Sequence, residues 1–126
     1  MLKSKMDDAV EADIRAVVKA VGDIPLKVIL EVPLLTEDEI VRGAEIVKNS
    51  GASFVKTGTG WAGATTLRHI ELIKKTVLDT IPIKVAGGVR DVDTLLKMVD
   101  MGVSRFGIGY RSAINIMEDY EKRLIK

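Results

Sequence analysis

Four short apolar segments alternate along this chain with stretches of helical periodicity, and this alternation is its strongest constraint on the fold. The apolar segments are residues 26–30, 53–57, 83–86 and 105–108, with centres about 22 to 29 residues apart. Strands that are apolar on both faces and alternate with helices are typical of a parallel sheet covered by those helices. The sequence therefore predicts an α/β fold.

The helical segments have recognisable beginnings and ends. Apolar residues recur at helical spacing over residues 9–21, where a first helix is predicted. Thr36 and Glu39 have the spacing of a capping box, which predicts the start of a second helix. A third helical pattern follows the second strand. Asp91 is placed to cap the next helix, and a final amphipathic helix is predicted from Ser112 onward.

The number of strands predicts half of a larger architecture. The chain has 126 residues, which fits a single domain over residues 1–126. Its strand spacing is typical of a (β/α) barrel, whose full form has eight strands and roughly 250 residues. Four strands alone leave two open edges and one face without helices. We therefore expect a homo-oligomer with an apolar interface larger than about 2,000 Å².

Composition excludes several classes of function. The chain has no cysteine and one histidine, so neither a disulfide, a thiol nucleophile nor a multi-histidine metal site is expected. The net charge is +1 with acids and bases interspersed, which gives no sign of a nucleic-acid partner. No apolar run is long enough to span a bilayer, so we expect no membrane partner and a cytoplasmic location.

Two lysines lie inside apolar strands, Lys56 in the second and Lys84 in the third. Burial disfavours the charged ammonium, and a neutral lysine is a nucleophile that forms a Schiff base with a carbonyl. Neighbouring strands lie about 4.8 Å apart, so two inward lysines also repel each other. The sequence therefore predicts catalytic lysines. The alternative is that each lysine merely extends to solvent at the mouth of the barrel.

Glycines follow the ends of three strands and form a second candidate group. Loops after the last strands of a barrel commonly bind phosphate through backbone N–H groups and a helix N-terminus, and glycine lets the backbone approach such a ligand. The alternative is that turn geometry alone requires them. The glycines concerned are Gly58, Gly60, Gly87, Gly88, Gly107 and Gly109.

Four sequence runs carry a resemblance to a known family. They are KVILE at 27–31, LLTEDEI at 34–40, FVKTGTG at 54–60 and KVAGGVRD at 84–91. In order and spacing they resemble deoxyribose-phosphate aldolase, a class I aldolase with a TIM-barrel fold. The resemblance covers almost the whole chain. It implies the C-terminal half of that barrel: its last four βα units and the helix that precedes them.

The resemblance also implies an activity and a set of site residues. The activity is cleavage of 2-deoxy-D-ribose 5-phosphate to acetaldehyde and D-glyceraldehyde 3-phosphate, without a cofactor or metal. Lys56 corresponds to the Schiff-base lysine and Lys84 to the second catalytic lysine; repulsion would keep Lys56 neutral beside a protonated Lys84. The residues implied in binding the phosphorylated sugar are Thr57, Thr59, Gly60, Gly87, Gly88, Val89, Gly107 and Gly109.

Departures from the family leave alternatives open. The family usually has serine where Gly58 stands, and its catalytic aspartate lies on a strand upstream of the region that this chain matches. Glu31 is the comparably placed acid here, either as a participant or as an exposed loop acid. One alternative function is an inactive half-barrel that binds phosphorylated ligands or assembles with another half. An isomerase with the same phosphate loops is disfavoured by the paired lysines.

Two further side chains have open assignments. Trp61 follows the glycine-rich run, and it either walls the substrate pocket or covers an edge of the sheet. His69 lies within a predicted helix between Arg68 and Ile70, so we expect it on the surface.

Overall fold

The computed structural model describes residues 2–125, which form four parallel strands in sequential order and five α-helices. The strands are β1 (Lys27–Ile29), β2 (Phe54–Lys56), β3 (Ile83–Ala86) and β4 (Val103–Gly107). The helices are α1 (Asp7–Val21), α2 (Glu37–Asn49), α3 (Leu67–Val77), α4 (Val92–Asp100) and α5 (Tyr110–Leu124), with short 3-10 turns at Leu2–Ser4 and Val32–Leu34. One helix followed by four βα units confirms the predicted half-barrel.

Side-chain caps begin the central helices. The predicted box at α2 is confirmed: the Thr36 hydroxyl accepts from the Glu39 N–H at 3.2 Å, and the Glu39 carboxylate accepts from the Thr36 N–H at 2.9 Å. Asp91 caps α4, also as predicted. At α3, His69 completes a second box, because its Nδ1 accepts from the Thr66 N–H at 3.1 Å. Partial burial lowers the pKa of His69, which is consistent with a neutral, accepting ring.

The last strand begins earlier than its apolar pattern predicts. β4 starts at Val103 rather than at residue 105, since Ile83 pairs with Val103 and Lys84 with Arg105, leaving Ser104 as an extra residue. Such a bulge interrupts the two-residue alternation on which the prediction depends. It also turns Arg105 onto the same face as Lys84. The helix after β4 begins two residues before the predicted Ser112.

One face of the sheet and the helices beside it form the hydrophobic core. Val55, Ile83 and Val85 point to this face and are at most 1% exposed. They join a single buried cluster with apolar residues of the helices, among them Ile40 of α2 and Ile73 of α3. No helix within residues 2–125 is long and apolar enough to cross a membrane.

The opposite face of the sheet is open and cationic. Alternate strand residues place Lys27, Phe54, Lys56, Lys84 and Arg105 there, and none of these five side chains is fully buried. The Lys27 ammonium lies 5.2 Å, and the Arg105 guanidinium 4.9 Å, from the centre of the Phe54 ring. By the same register Ile29, which is 43% exposed, also lies on this face. The open face is therefore mainly cationic, with two cations over one aromatic ring, and is less apolar than the interface expected from the sequence.

Candidate active site

The two predicted lysines are brought together by the strand register. Lys56 of β2 and Lys84 of β3 are direct partners in the parallel ladder, and both point to the open face. Lys84 is in turn the partner of Arg105 in β4. Since adjacent strands are about 4.8 Å apart, three cations stand in one row across three strands. The register itself creates this concentration of charge.

The row of cations changes the acidity of its middle member. Burial, followed by the positive charges of Lys56, Lys27 and Arg105, lowers the pKa of Lys84 below its ordinary value of 10.5. From the sequence, Lys84 is predicted to remain protonated. That protonation state stays a prediction; the lowered pKa makes the Lys84 ammonium a stronger proton donor than an isolated lysine.

Gly107 packs closely against Ala86 of the neighbouring strand. A Cβ at position 107 would lie 3.2 Å from Ala86 Cβ, which is tighter than ordinary side-chain contact. The same Cβ would lie 3.7 Å from Lys84 Cε, an ordinary contact distance. The glycine at the end of β4 therefore relieves crowding with Ala86 at the end of β3.

A cavity of about 390 Å³ opens at the carboxyl ends of β2, β3 and β4. Seven of the residues predicted to bind the substrate line it; neither Lys56, Lys84 nor Thr57 does. Trp61 also lines it with a side chain that is 95% exposed, which supports the pocket-wall assignment. The lining residues are Thr59, Gly60, Trp61, Gly87, Gly88, Val89, Arg90, Gly107, Ile108, Gly109 and Ser112.

The start of α5 gives this cavity an electropositive wall. Gly109 is the N-cap residue, it has no side chain to accept from the first-turn N–H groups, and that turn contains no acid. Side chains cap α2, α3 and α4 instead. Unsatisfied N–H groups and the helix dipole favour an anion at such a position. Arg90, exposed on the same cavity, adds a cation.

Arg90 and Ser112 are lining residues that the sequence prediction omitted. Arg90 lies within the run KVAGGVRD, so its proximity to Gly88 was a usable signal. Ser112 lies in the first turn of α5, and it could be found only by placing the start of that helix two residues earlier.

Two of the glycines are required by packing between loops. Gly87 has a φ of +94°, and a Cβ there would lie 2.9 Å from both Gly60 Cα and the Gly63 carbonyl oxygen. A Cβ at Gly88 would overlap Ala64 Cβ. The loops after β2 and β3 therefore touch through their backbones. The close contact between these loops is enough to require Gly87 and Gly88, whether or not a ligand also approaches them.

Thr57 lies on the covered side of the sheet and not in the cavity. It is fully buried, its hydroxyl is 2.7 Å from the Thr65 hydroxyl, and it accepts from the Ala86 N–H at 3.2 Å. The Thr65 hydroxyl also donates to the Ala86 carbonyl at 3.0 Å. These bonds tie β2, β3 and the intervening loop together. The hydroxyl of Thr57 is thus a structural group here, contrary to its predicted contact with substrate.

Glu31 is half-buried and bound, so it is not a free loop acid. Its Oε1 accepts from the Thr59 N–H at 3.0 Å, and its Oε2 accepts from the Thr59 hydroxyl at 2.8 Å.

No group of three or more metal-ligating side chains lies together in the described part of the chain. The cavity and the open face together offer N–H donors, cations and amines, which suit an anionic carbonyl compound.

Comparison with known proteins identifies relatives of this arrangement. The family model for DeoC/LacD family aldolases matches residues 1–117. The chain is 49% identical over 117 residues to the deoxyribose-phosphate aldolase of Sinorhizobium medicae (strain WSM419), covering 92% of this chain and 47% of that protein. The chain thus spans about half the length of the curated relatives that it matches.

Solved structures give the same result. The aldolase QR15 superposes with a TM-score of 0.86 at 37% identity, over 98% of this chain and 55% of that one. The tetrameric deoxyribose phosphate aldolase from Aeropyrum pernix superposes with a TM-score of 0.80 over 94% of this chain and 51% of that one. At 24% identity, the second comparison concerns the fold alone.

Proposed function

This chain belongs to the DeoC/LacD family of aldolases, and we propose that its open sheet face performs Schiff-base aldol chemistry on 2-deoxy-D-ribose 5-phosphate. The observation that carries the proposal is the pairing of Lys56 with Lys84 in one row of the open face. A neutral lysine amine attacks carbonyl carbon to form a Schiff base, and Lys84, whose pKa is lowered, stands beside Lys56 in the ladder.

In the proposed reaction, the neutral Lys56 amine attacks the sugar aldehyde to give a carbinolamine, which loses water to form an iminium. A base removes the proton of the C3 hydroxyl, the C2–C3 bond breaks, and its electron pair moves into the iminium to give an enamine. D-Glyceraldehyde 3-phosphate leaves at this step. Protonation of the enamine carbon and hydrolysis release acetaldehyde and return the Lys56 amine.

Lys84 is the proposed proton carrier. It is the ladder neighbour of Lys56, and its lowered pKa increases the fraction of neutral amine available to take a proton. None of the residues that β1–β4 place on the open face of the described chain is acidic. Among these open-face residues, Lys84 is therefore the candidate for carrying a proton beside Lys56.

The cavity is the proposed phosphate site. The first-turn N–H groups of α5, the backbone at Gly87 and Gly88, and the Arg90 guanidinium all border it. A volume of about 390 Å³ is within the range of small-ligand pockets. Binding the phosphate there would place the remainder of the sugar towards the carboxyl ends of the strands that carry the lysines.

A second candidate function is phosphate-ligand binding without turnover. This function is favoured because the chain spans 47% of the length of the Sinorhizobium protein.

We propose a homo-oligomer for either function. Two cationic faces would repel, so the proposed contact is the β1 edge, where Ile29 and Leu34 are exposed beside a mainly apolar cavity of about 420 Å³. Light scattering measures the number of chains in the assembly.

A cytoplasmic location remains a prediction.

The test of the proposed activity is release of acetaldehyde from 2-deoxy-D-ribose 5-phosphate, followed with a coupled reductase. We expect turnover by the unmodified chain and none by Lys56→Arg, because a guanidinium keeps the charge but does not form the imine. Lys19→Arg, on the exposed surface of α1, is the matched control. Phosphate binding without turnover by the unmodified chain would instead establish the second candidate.

A further inference from the structure

We propose that Glu31 is a positioning residue, which holds the segment 59–61 in place as one wall of the cavity. This inference rests on the proposed function, because the cavity is taken to be the phosphate site. Glu31 follows β1, the strand farthest from β4 in the sheet, and does not itself line the cavity. It acts through Thr59, which does.

The hydrogen bonds form a continuous path from the carboxylate to the cavity wall. Both carboxylate oxygens of Glu31 are used, one by the Thr59 N–H and the other by the Thr59 hydroxyl. The same hydroxyl accepts from the Trp61 N–H at 3.2 Å. Bonds to a charged acceptor are stronger than those between neutral groups. One carboxylate therefore fixes the main chain at two positions of a glycine-rich loop.

The backbone of Glu31 is held in an unfavourable conformation that aims the side chain at this loop. Its φ and ψ are +58° and +57°, in the left-handed region that residues with a Cβ rarely adopt. The ladder to β2 continues on either side, since the Leu30 N–H donates to the Lys56 carbonyl and the Val32 N–H to the Thr57 carbonyl. Strain retained inside an ordered ladder is typical of positions with a function.

Gly58 leaves the space that the carboxylate fills. A Cβ at position 58 would lie 2.8 Å from Glu31 Oε1, closer than any ordinary contact. The φ of Gly58 is outside the left-handed region, so its backbone does not exclude alanine. The glycine that stands where the resembled family usually has serine is thus matched to the carboxylate. Gly58→Ala disturbs the same contact from the opposite side.

Charge and position have opposite effects on anion binding, and this separates the two roles of Glu31. A carboxylate near an anion site repels phosphate, so its removal would tighten binding if charge were its main effect. If Glu31 positions the loop, its removal weakens binding although a negative charge has been lost. The sign of the change in affinity therefore decides between them.

The experiment is titration of the full chain with inorganic phosphate by calorimetry. We expect Glu31→Ala to bind at least about tenfold more weakly, the effect of losing bonds to a charged acceptor. Glu31→Gln should be intermediate, since one amide oxygen can still accept from Thr59. Glu45→Gln, an exposed acid on α2, should stay within about twofold. Equal or tighter binding by Glu31→Ala would overturn the proposal.

Fluorescence anisotropy of Trp61, the sole tryptophan, tests the same proposal without a ligand. We expect faster local motion of the Trp61 side chain in Glu31→Gln and in Gly58→Ala than in the unmodified chain. Glu45→Gln should show no change. The variants compared must have equal urea midpoints, so that they do not differ in overall stability. Unchanged anisotropy of Trp61 in both Glu31→Gln and Gly58→Ala would contradict the positioning role. If the unmodified chain binds no phosphate, the proposed anion site is wrong, and the anisotropy still decides the role of Glu31.

Discussion

The two faces of the sheet are built from alternate residues of the same strands, yet they differ in almost every physical property. Val55, Ile83 and Val85 lie under the helices and are at most 1% exposed. Lys56 and Lys84, their immediate neighbours along the chain, stand in a row of cations on the other face. A single step along a strand passes from a buried position that stabilises the fold to a charged position where we propose that the chemistry occurs.

The comparison also shows where the free energy of folding comes from. Burial of apolar side chains on the covered face is favourable by roughly 25 cal/mol per Å². On the open face, burial and then the neighbouring positive charges disfavour the ammonium of Lys84 and lower its pKa. The covered face therefore supplies the apolar burial that stabilises the sheet, and this burial offsets the cost of holding the Lys84 ammonium among other cations.

The largest expected effect comes from the covered face. Ile83→Ala removes a side chain that is 1% exposed and leaves a cavity in the core, so we expect the free energy of unfolding to fall by about 2–5 kcal/mol. Urea denaturation followed by circular dichroism measures this loss. A loss below about 1 kcal/mol would show that the two faces do not differ as described.

The next residue along β3 is expected to behave in the opposite way. The pKa of Lys84 is lower in the folded chain than its ordinary value of 10.5. At any pH between the lowered folded-state pKa and 10.5, the unfolded chain therefore binds more protons than the folded chain. Stability should therefore rise with pH across that window. Lys84→Met should remove this rise and stabilise the chain below the window, by an amount smaller than the Ile83→Ala loss.

Urea midpoints measured from pH 7 to pH 10.5 test this expectation. Lys19→Met, which removes a lysine from the exposed surface of α1, is the matched control and should keep the rise. A rise that persists in Lys84→Met would assign it to another group.

The fold was largely predictable from the sequence, because its signals are local. The capping box at Thr36 and Glu39, the Asp91 cap and the apolar runs of β1–β3 each depend on a few neighbouring residues. The start of β4 was not predictable in this way. Its bulge at Ser104 is defined by pairing with Ile83, a residue about twenty positions earlier in the chain.

The site was predictable in its composition and less so in its geometry. Motif and strand parity brought Lys56, Lys84 and the lining glycines to one end of the sheet. Parity also places Thr57 on the covered face, but its position in the motif suggested a ligand contact instead. The bonds of Glu31 to Thr59 depend on a left-handed backbone at a residue other than glycine, which no local pattern indicates.

The central claim is that the open face holds an imine-forming lysine and that this lysine is Lys56. Incubation with acetaldehyde, reduction with borohydride and mass mapping of the peptides test it most directly. We predict one reduced adduct on Lys56, absent in Lys56→Arg and retained in Lys19→Arg. An adduct on Lys84 in the unmodified chain would contradict the assignment of roles, and an adduct spread evenly over the exposed lysines would contradict the site itself.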